Sequence, residues 1–254
     1  MITIPHTVAN FVASDELGAT IVGFRSRNEQ SRPFNLLRTQ ITRMLGSGKR
    51  LIGVTSATPQ VGKTFIACNL AASLSRLPEL RTYLFDLDLR RGSVAQRFGL
   101  PVEKGITEYL DETIDDLTGL SWGVAEQRLC IYPAREQTVL SSELLSHSRF
   151  NALAEAMRAS AETDLFICDL PPVFANDDAM IAVERLDGYI LVVEEGVTTK
   201  KQLRDALRLL GQEKCLGTVL NRYVKGSLAP FGVVTCVTKG PDVERKSARM
   251  NCST

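Results

Sequence analysis

Residues 51–64 read LIGVTSATPQVGKT, which is an apolar run, a short loop and a Gly-Lys-Thr triplet that opens a helical pattern. This order is typical of a phosphate-binding loop, in which backbone N–H groups at a helix N-terminus hold phosphate oxygens. The Lys63 ammonium can neutralise the β- and γ-phosphates of a nucleotide, and the Thr64 hydroxyl can bind magnesium. The predicted nucleotide-binding residues are Thr58, Pro59, Gln60, Val61, Gly62, Lys63, Thr64 and Phe65.

Two positions of this loop depart from the usual pattern G-x-x-x-x-G-K-[ST]. Ala57 occupies the position of the first glycine, and the Gln60 side chain crowds a loop that often carries glycine. Taken alone, the stretch is also compatible with an ordinary strand-to-helix turn that carries a surface lysine. The prediction of a nucleotide site therefore depends on further parts of such a site elsewhere in the chain.

The second part is an acidic pair in residues 83–91, YLFDLDLRR. Alternate residues of a strand face the same side, so Asp86 and Asp88 can point together towards a ligand. One carboxylate could hold a magnesium-bound water while the other accepts a proton from an attacking hydroxyl. A solvated acidic pair beside two arginines is the alternative interpretation. Together with the lysine of the loop, the predicted catalytic residues are Lys63, Asp86 and Asp88.

The third part lies in residues 164–172, DLFICDLPP, where an apolar run ends in a carboxylate and two prolines. Prolines stop a central strand, so Asp169 is expected at the sheet edge where the first strand delivers its loop. A Walker B role in the magnesium shell follows, and a turn-initiating aspartate is the alternative. The predicted metal ligands are Thr64, Asp86 and Asp169, and the three parts together predict binding of ATP and Mg²⁺.

Apolar segments alternate with helical patterns along the chain, and this alternation predicts an α/β fold. We expect the three-layer P-loop NTPase fold, with a mostly parallel central sheet covered on both faces. The predicted regions are an N-terminal arm over 1–32, the P-loop domain over 33–223 and a flexible C-terminal tail over 224–254. Strands are predicted at 51–55, 82–87, 129–132, 165–168, 188–193 and 217–220, and helices at 34–45, 64–76, 149–160 and 200–210.

Charge and composition exclude several classes of protein. The 254 residues include 30 basic and 29 acidic side chains, and a net charge of +1 creates no general attraction to nucleic acid or anionic lipid. The first thirty residues lack the basic start and apolar run of a signal peptide, and no stretch approaches the length of a membrane span, so a cytoplasmic protein is expected. The six cysteines form no C-x-x-C pair, so neither a zinc site nor a disulfide framework is expected.

Over residues 34–223 the chain resembles the bacterial tyrosine kinases of capsule and exopolysaccharide synthesis, within the deviant-Walker P-loop ATPase superfamily. The resemblance rests on the Asp-x-Asp-x-Arg motif that ends at Arg90, on the Asp-x-Pro-Pro motif that begins at Asp169, and on the stretch SELLS at 142–146. Asn221 matches a position that often contacts the base. Thr58 stands where partition-type relatives carry a signature lysine, which disfavours the partition branch.

The resemblance implies a kinase that transfers the phosphoryl group of Mg·ATP to a protein tyrosine and thereby regulates polysaccharide polymerisation or export. It also implies a membrane-embedded chain-length partner, a polysaccharide co-polymerase, whose cytoplasmic segment completes the site at the inner face of the cell membrane. A homo-oligomer is compatible with the resemblance, and nucleic acid is not an expected partner.

Three departures from the family pattern keep alternatives open. The last tyrosine is Tyr223, so phosphorylation of a tyrosine cluster in the tail is not expected. Of the family's ring-forming Glu-x-x-Arg-x-x-Arg helix, only Arg38 is in place, and Gln60 and Val61 replace a common Gly-Glu pair. A non-kinase ATPase or a nucleotide-dependent switch is therefore the second hypothesis. A DNA-segregation ATPase is the third, and both Thr58 and the near-zero charge weaken it.

Overall fold

The strand that precedes the phosphate loop lies in the middle of a single sheet. The computed structural model describes residues 2–13, 17, 21–25, 29–135, 140–223 and 234–236. Its strands are β1 (Asn10–Val12), β2 (Leu51–Ser56), β3 (Arg81–Asp86), β4 (Trp122–Val124), β5 (Leu129–Tyr132), β6 (Asp164–Asp169), β7 (Gly188–Glu194), β8 (Cys215–Asn221) and β9 (Val234–Cys236). They are ordered β1-β4-β5-β3-β6-β2-β7-β8-β9 across the sheet.

Most neighbouring strands are parallel, and only the β4–β5 and β8–β9 pairs among those described are antiparallel. Parallel neighbours must be joined by crossover connections, which here contain the helices. The helices are α1 (Arg32–Leu45), α2 (Lys63–Leu74), α3 (Val94–Phe98), α4 (Ile106–Leu110), α5 (Ser141–Ser146), α6 (Ser148–Ala159), α7 (Asp178–Glu184) and α8 (Lys200–Leu210), with short 3₁₀ turns at Glu29–Ser31 and Gln212–Lys214.

Successive side chains of a strand point to opposite faces of the sheet. Because the central strands are apolar throughout, both faces must be covered, and helices cover them. Leu84 of β3 packs in a cluster with Leu37 of α1 and other residues of α1, α2 and α3. Its neighbours Tyr83 and Phe85 pack in a second cluster with Phe150 of α6 and residues of α4, α7 and α8. Burying each large apolar side chain contributes about 1.5–3 kcal/mol. The predicted three-layer α/β fold is confirmed.

All predicted strands and helices are present, and each observed boundary lies within two residues of the predicted one. Those strands are buried on both faces, which is why they read as continuous apolar runs. The prediction missed β1, β4 and β9, which have three residues each, and the short helices α3, α4, α5 and α7. Elements of this length carry no measurable periodicity in the sequence.

Part of the predicted N-terminal arm is attached to the domain. Strand β1 pairs in parallel with β4 at the sheet edge. Further along, the Asn69 side chain of α2 accepts hydrogen bonds from the backbone N–H groups of Val22 and Gly23, at 2.7 and 2.9 Å. A Cβ atom at Gly23 would lie 2.2 Å from the Asn69 carbonyl oxygen, so only glycine permits this close approach.

Three residues of the predicted C-terminal tail form β9, which pairs antiparallel with β8. The rest of 224–254 lies outside the described residues. In the described ranges, no helix combines the length and the apolar composition that crossing a membrane would require.

Candidate nucleotide-binding site

The site lies at the carboxyl ends of β2, β3 and β6, which are neighbours in the sheet. Ligands of open α/β sheets bind at this edge. Asp86 at the end of β3 is in register with Asp169 at the end of β6, and Asp169 is in register with Val54 of β2. Parallel pairing therefore places residues that are more than 80 positions apart in the chain side by side at the carboxyl end of the sheet.

The loop between β2 and α2 turns at Gly62, which adopts a left-handed conformation with φ of 92°. A Cβ atom at this position would lie 2.2 Å from Nδ2 of Asn221. The same Asn221 nitrogen donates a hydrogen bond to the Val61 carbonyl oxygen at 2.8 Å. Asn221, which the resemblance associates with base contact, thus contacts the loop backbone from the end of β8.

Gln60 is also left-handed, with φ of 65°, and its side chain is exposed. An L-residue in this region costs roughly 1–2 kcal/mol relative to its preferred conformations. The crowding predicted from the sequence is therefore backbone strain, because the side chain itself points into solvent and not into the core.

The segment after β6 braces the loop. The hydroxyl of Thr55 donates to the Pro171 carbonyl oxygen at 2.6 Å, and the N–H of Val173 donates to the Ser56 carbonyl oxygen at 2.8 Å. Within the loop, the Ser56 hydroxyl donates to the Thr58 carbonyl oxygen at 2.8 Å. The two prolines that end β6 thus begin a segment that fixes the phosphate loop in place.

Lys63 is the first residue of α2 and is 9% exposed. Its Nζ atom lies 2.7 Å from Oδ2 of Asp88, 3.4 Å from Oδ1 of Asp169 and 3.2 Å from the Thr64 hydroxyl. Burial lowers the pKa of Lys63, but the carboxylates of Asp169 and Asp88 raise it further, and the net pKa is raised. The ammonium is therefore charged at neutral pH.

The acidic residues around this lysine are deeply buried. Burial and the neighbouring Asp169 raise the pKa of Asp86 to about 8, although the Val94 N–H and Lys63 oppose the shift. Burial also raises the pKa of Asp169, against the effects of Lys63 and a hydrogen bond from Thr64. The Lys63 ammonium thus contacts two carboxylates, with the Asp86 carboxyl group buried nearby, and this concentration of acidic groups favours a bound cation.

The oxygen donors of the site match the preferences of magnesium. Thr64, Asp86 and Asp169 offer one hydroxyl and two carboxylates, the hard ligands that Mg²⁺ selects. In the part of the chain that the structure describes, no group of three or more His, Cys, Asp or Glu residues is arranged for a metal ion. Magnesium commonly takes one or two carboxylates and completes its shell with water and phosphate oxygens, so this set fits the ion beside a nucleotide.

Not every predicted residue can contact a ligand through its side chain. Thr58, Pro59 and Gln60 lie on the accessible part of the loop. Val61 is buried in the core, and Phe65 packs edge-on against Phe34 at 5.7 Å. Val61 and Phe65 therefore have only backbone groups available for a phosphate.

The sequence analysis missed a polar cluster that holds Arg90. The Arg90 Nε atom donates to the Ser141 hydroxyl at 2.6 Å and lies 3.5 Å from Asp178. Asp178 is buried and also accepts hydrogen bonds from Ser141 and Ser142. Ser93, whose hydroxyl donates to that of Thr64 at 3.2 Å, was missed as well. The Asp-x-Asp-x-Arg motif pointed to Arg90, but Ser141 and Asp178 follow far along the chain and belong to none of the motifs recognised in the sequence.

The helix N-terminus, the buried lysine and the carboxylates of two neighbouring strands define a P-loop nucleotide-binding protein. The sequence matches the model of the CobQ/CobB/MinD/ParA nucleotide binding domain over residues 52–230. The chain belongs to this family and, within it, to the bacterial tyrosine-protein kinases. The resemblance drawn from the motifs is thereby confirmed.

Individual relatives are similar over most of their length. Tyrosine-protein kinase CpsD of Streptococcus agalactiae serotype III (strain NEM316) is 29% identical over 211 residues, covering 82% of this chain and 88% of that protein. Tyrosine-protein kinase CpsD of Streptococcus pneumoniae serotype 4 (strain ATCC BAA-334 / TIGR4) is 31% identical over 195 residues, covering 74% and 82%. The kinase domain of Escherichia coli tyrosine kinase ETK has a similar structure, with a TM-score of 0.72 and 26% identity over 84% of each chain.

Proposed function

We propose that this chain transfers the γ-phosphoryl group of Mg·ATP to a protein tyrosine. The observation that carries the proposal is the Lys63 ammonium at the start of α2, 2.7 Å from Asp88 and 3.4 Å from Asp169. A lysine in this position can neutralise the transferring phosphate, and an adjacent carboxylate can accept the proton of the attacking hydroxyl. The relatives named tyrosine-protein kinase support tyrosine as the acceptor.

The phosphates of ATP would bind to the backbone N–H groups between Thr58 and Thr64, where the positive end of α2 favours anions. They would compete with Asp88 for the Lys63 ammonium. Binding would then leave Asp88 without its present ion-pair partner and available to act as a base. Asn221, through its bond to Val61, would keep the loop in the conformation that accepts phosphate.

Magnesium would be held by Thr64, Asp86 and Asp169 beside the nucleotide. When bound, the ion supplies neutralisation of charge on the phosphate oxygens. The raised pKa of Asp86 supports this assignment, because a buried carboxyl next to a second carboxyl favours a cation over two uncompensated charges.

In the transfer step, the phenolic oxygen attacks the γ-phosphorus. The bond from the γ-phosphorus to the β–γ bridging oxygen breaks, and its electron pair leaves on ADP. The phenolic proton passes to a carboxylate, for which Asp88 is better suited than Asp86. Both Asp86 oxygens already accept backbone N–H groups, from Val94 at 3.0 Å and from Asp88 at 3.3 Å.

The resemblance supports a wider role, in which the reaction regulates capsule or exopolysaccharide biosynthesis or export. The partner would be a membrane-embedded polysaccharide co-polymerase whose cytoplasmic segment completes the site, which recruits the chain to the inner face of the cell membrane. Adding that segment should increase turnover in the assay below, and an unchanged rate would contradict this part of the proposal.

A nucleotide-dependent switch or non-kinase ATPase is the second candidate. The strained Gln60 favours it, because the resemblance places glycine in this part of the loop, and a distorted loop can bind phosphate without aligning it for transfer. This candidate predicts tight ATP binding without phosphotyrosine.

The decisive assay measures phosphotyrosine formed on a tyrosine copolymer by purified protein with ATP and magnesium. Lys63→Met should lower the rate by at least about 100-fold, as expected when a charge that stabilises the transition state is removed. Lys104→Met, at an exposed position, is the matched control and should keep the wild-type rate. If Lys63→Met formed phosphotyrosine at the wild-type rate, the assignment of the site would be refuted. ATP binding by the wild-type protein without phosphotyrosine would favour the nucleotide-dependent switch.

A further inference from the structure

A cavity of about 190 Å³ lies at the amino ends of β3 and β5, at the edge of the sheet opposite to the nucleotide site. Strand β3 has six residues, so at ~3.3 Å per residue its two ends are about 17 Å apart. The cavity is therefore separate from the phosphate loop. The polar residues of its lining are His6, Arg81, Gln127 and Arg128.

Two arginines stand side by side in the wall of this cavity. Thr82 of β3 is in register with Leu129 of β5, so the residues before them, Arg81 and Arg128, are opposite each other. Like charges in opposite positions of neighbouring strands repel each other. A bound anion would turn this repulsion into two attractive contacts.

In the described ranges no carboxylate forms an ion pair with either arginine. Arg81 donates through Nη1 to Nδ1 of His6 at 2.6 Å and to the His6 carbonyl oxygen at 3.1 Å. Arg128 donates through Nε to the Leu80 carbonyl oxygen at 3.1 Å. Asp164 of β6 is in register with Arg81 on its other side, but Asp164 does not line the cavity. The positive charge at the cavity is thus left for a ligand to neutralise.

The polar groups of the lining offer mainly hydrogen-bond donors. A guanidinium has five N–H groups and no acceptor, and the bonds described above use two of them in Arg81 and one in Arg128. Nδ1 of His6 must therefore accept the bond from Arg81, which leaves the proton of the neutral ring on Nε2. Gln127 adds a side-chain amide. Such a set of donors, with two fixed positive charges, selects an anion.

The remaining lining residues, Val8, Leu129 and Cys130, are apolar. Burial raises the pKa of the Cys130 thiol to about 12, so it stays uncharged and behaves as a small apolar group. A water molecule needs only about 10–15 Å³ of such a cavity, so there is room for a polyatomic anion and part of the group attached to it. A phosphate monoester presents three free oxygens to several donors, whereas a carboxylate presents two.

We propose that this cavity binds the phosphate group of a small phosphate monoester, with Arg81 and Arg128 as its main contacts. The phosphate oxygens accept hydrogen bonds from the two guanidinium groups, and the esterified group lies against Val8 and Leu129. The inference does not depend on the kinase activity proposed above, because it involves no residue of the nucleotide site and no transfer step.

Calorimetric titration of the full chain with phenyl phosphate tests the site. Arg81→Gln and Arg128→Gln should each weaken binding by at least about 10-fold, because charge-assisted hydrogen bonds to the anion are lost. Arg128→Lys keeps the charge but loses the planar fork, so it should weaken binding less than Arg128→Gln does. Arg43→Gln, at an exposed position of α1, is the matched control and should bind like wild type.

Lys63→Met distinguishes this cavity from the nucleotide site and should retain the binding of phenyl phosphate. Loss of binding in Lys63→Met together with full binding in Arg128→Gln would place the ligand at the phosphate loop and overturn the inference. Absence of binding to the wild-type protein would also overturn it. Neither result would decide whether the chain is a kinase, which the phosphotyrosine assay measures separately.

Two further titrations of the wild-type protein test the chemistry of the ligand. Benzoate has the same ring but a carboxylate, and it should bind more weakly than phenyl phosphate because it offers fewer oxygens to the donors. Inorganic phosphate should also bind more weakly, because it leaves Val8 and Leu129 without an apolar contact. Equal affinity for benzoate would overturn the assignment of a phosphate group, and equal affinity for inorganic phosphate would overturn the assignment of an ester.

Discussion

Buried charge is the main feature of the site at the scale of single residues. Lys63 is 9% exposed, while Asp86 and Asp169 are fully buried. A buried ion pair contributes little net stability, because desolvation offsets most of the attraction, yet removing one partner typically costs 3–5 kcal/mol. The arrangement is therefore suited to a bound cation, which would neutralise the surplus carboxylates.

The stability of the protein without divalent cations should fall as the pH rises from about 4 to about 8. The pKa of Asp86 rises from 3.8 to about 8 on folding, because burial and Asp169 disfavour its charge. Between these values the folded protein binds a proton that the unfolded chain has released, and this contribution is lost as the pH passes the folded pKa. Urea unfolding across this range measures the slope.

Magnesium favours the charged carboxylate, so it should stabilise the protein more at the upper end of this range than at the lower end. Asp86→Asn removes the titrating group and should flatten the slope measured without metal. A slope that is the same in wild type and Asp86→Asn would show that Asp86 is not its source.

Gly62→Ala should destabilise the protein by about 1–3 kcal/mol and weaken ATP binding. Gly62 has φ of 92°, and an added Cβ would lie 2.2 Å from Asn221. Gly48→Ala is the matched control, because Gly48 has φ of 76° but nothing within 4 Å of an added Cβ. Urea unfolding and ATP titration of both variants separate backbone strain from the clash, and equal effects would contradict the role of Asn221.

Helix α2 connects the nucleotide site with the N-terminal segment at the scale of elements. It begins at Lys63, and Asn69 near its middle binds the backbone of residues 22 and 23. The Asn69 Nδ2 atom also donates to the Phe65 carbonyl oxygen at 2.9 Å, which fixes the direction of its side chain. One buried asparagine thus joins a segment without regular structure to the most buried helix.

Asn69→Ala should destabilise the protein by about 1–3 kcal/mol, because two buried N–H groups lose their acceptor. Hydrogen exchange at Val22 and Gly23 should accelerate more than exchange in the core of the sheet. Asn151→Ala on α6 is the control for replacing a helical asparagine. If both variants left the exchange of Val22 and Gly23 unchanged, the anchoring role of Asn69 would be wrong.

The order of strands controls the site at the scale of the whole molecule. Strands β3, β6 and β2 are adjacent and deliver the acidic pair, Asp169 and the phosphate loop to one edge. Strand β8 delivers Asn221 to the opposite side of the loop. A ligand bound at this edge would contact segments that are remote in sequence, so its binding energy would oppose global unfolding.

Mg·ATP at 100 times its Kd should raise the free energy of unfolding by about 2.7 kcal/mol. Lys63→Met should lose most of this increase, since the ammonium is the main positive charge available to the phosphates. Thermal unfolding over a series of ATP concentrations measures the effect, with Lys104→Met as control. Equal stabilisation of wild type and Lys63→Met would place ATP elsewhere.

The central strands, the helix after the phosphate loop and the proximity of Lys63 to the acidic residues that follow β3 and β6 were predictable from the amino-acid order. The reason is local. Strands β2, β3 and β6 are buried on both faces and must be apolar, and each is followed by a motif whose residue types suit phosphate or metal chemistry. Asp86, Asp88 and Asp169 could thus be assigned to one sheet edge without knowing the strand order.

The features that the sequence did not predict arise from contacts between segments that are far apart in the chain. The strands β1, β4 and β9 are too short to show a period, and they form because a neighbouring strand offers hydrogen bonds. The anchoring of residues 22 and 23 by Asn69 and the clash that excludes a side chain at Gly62 depend on contacts between residues far apart in the chain. Burial and distance are properties of the folded chain, because they arise only when segments remote in sequence are packed together.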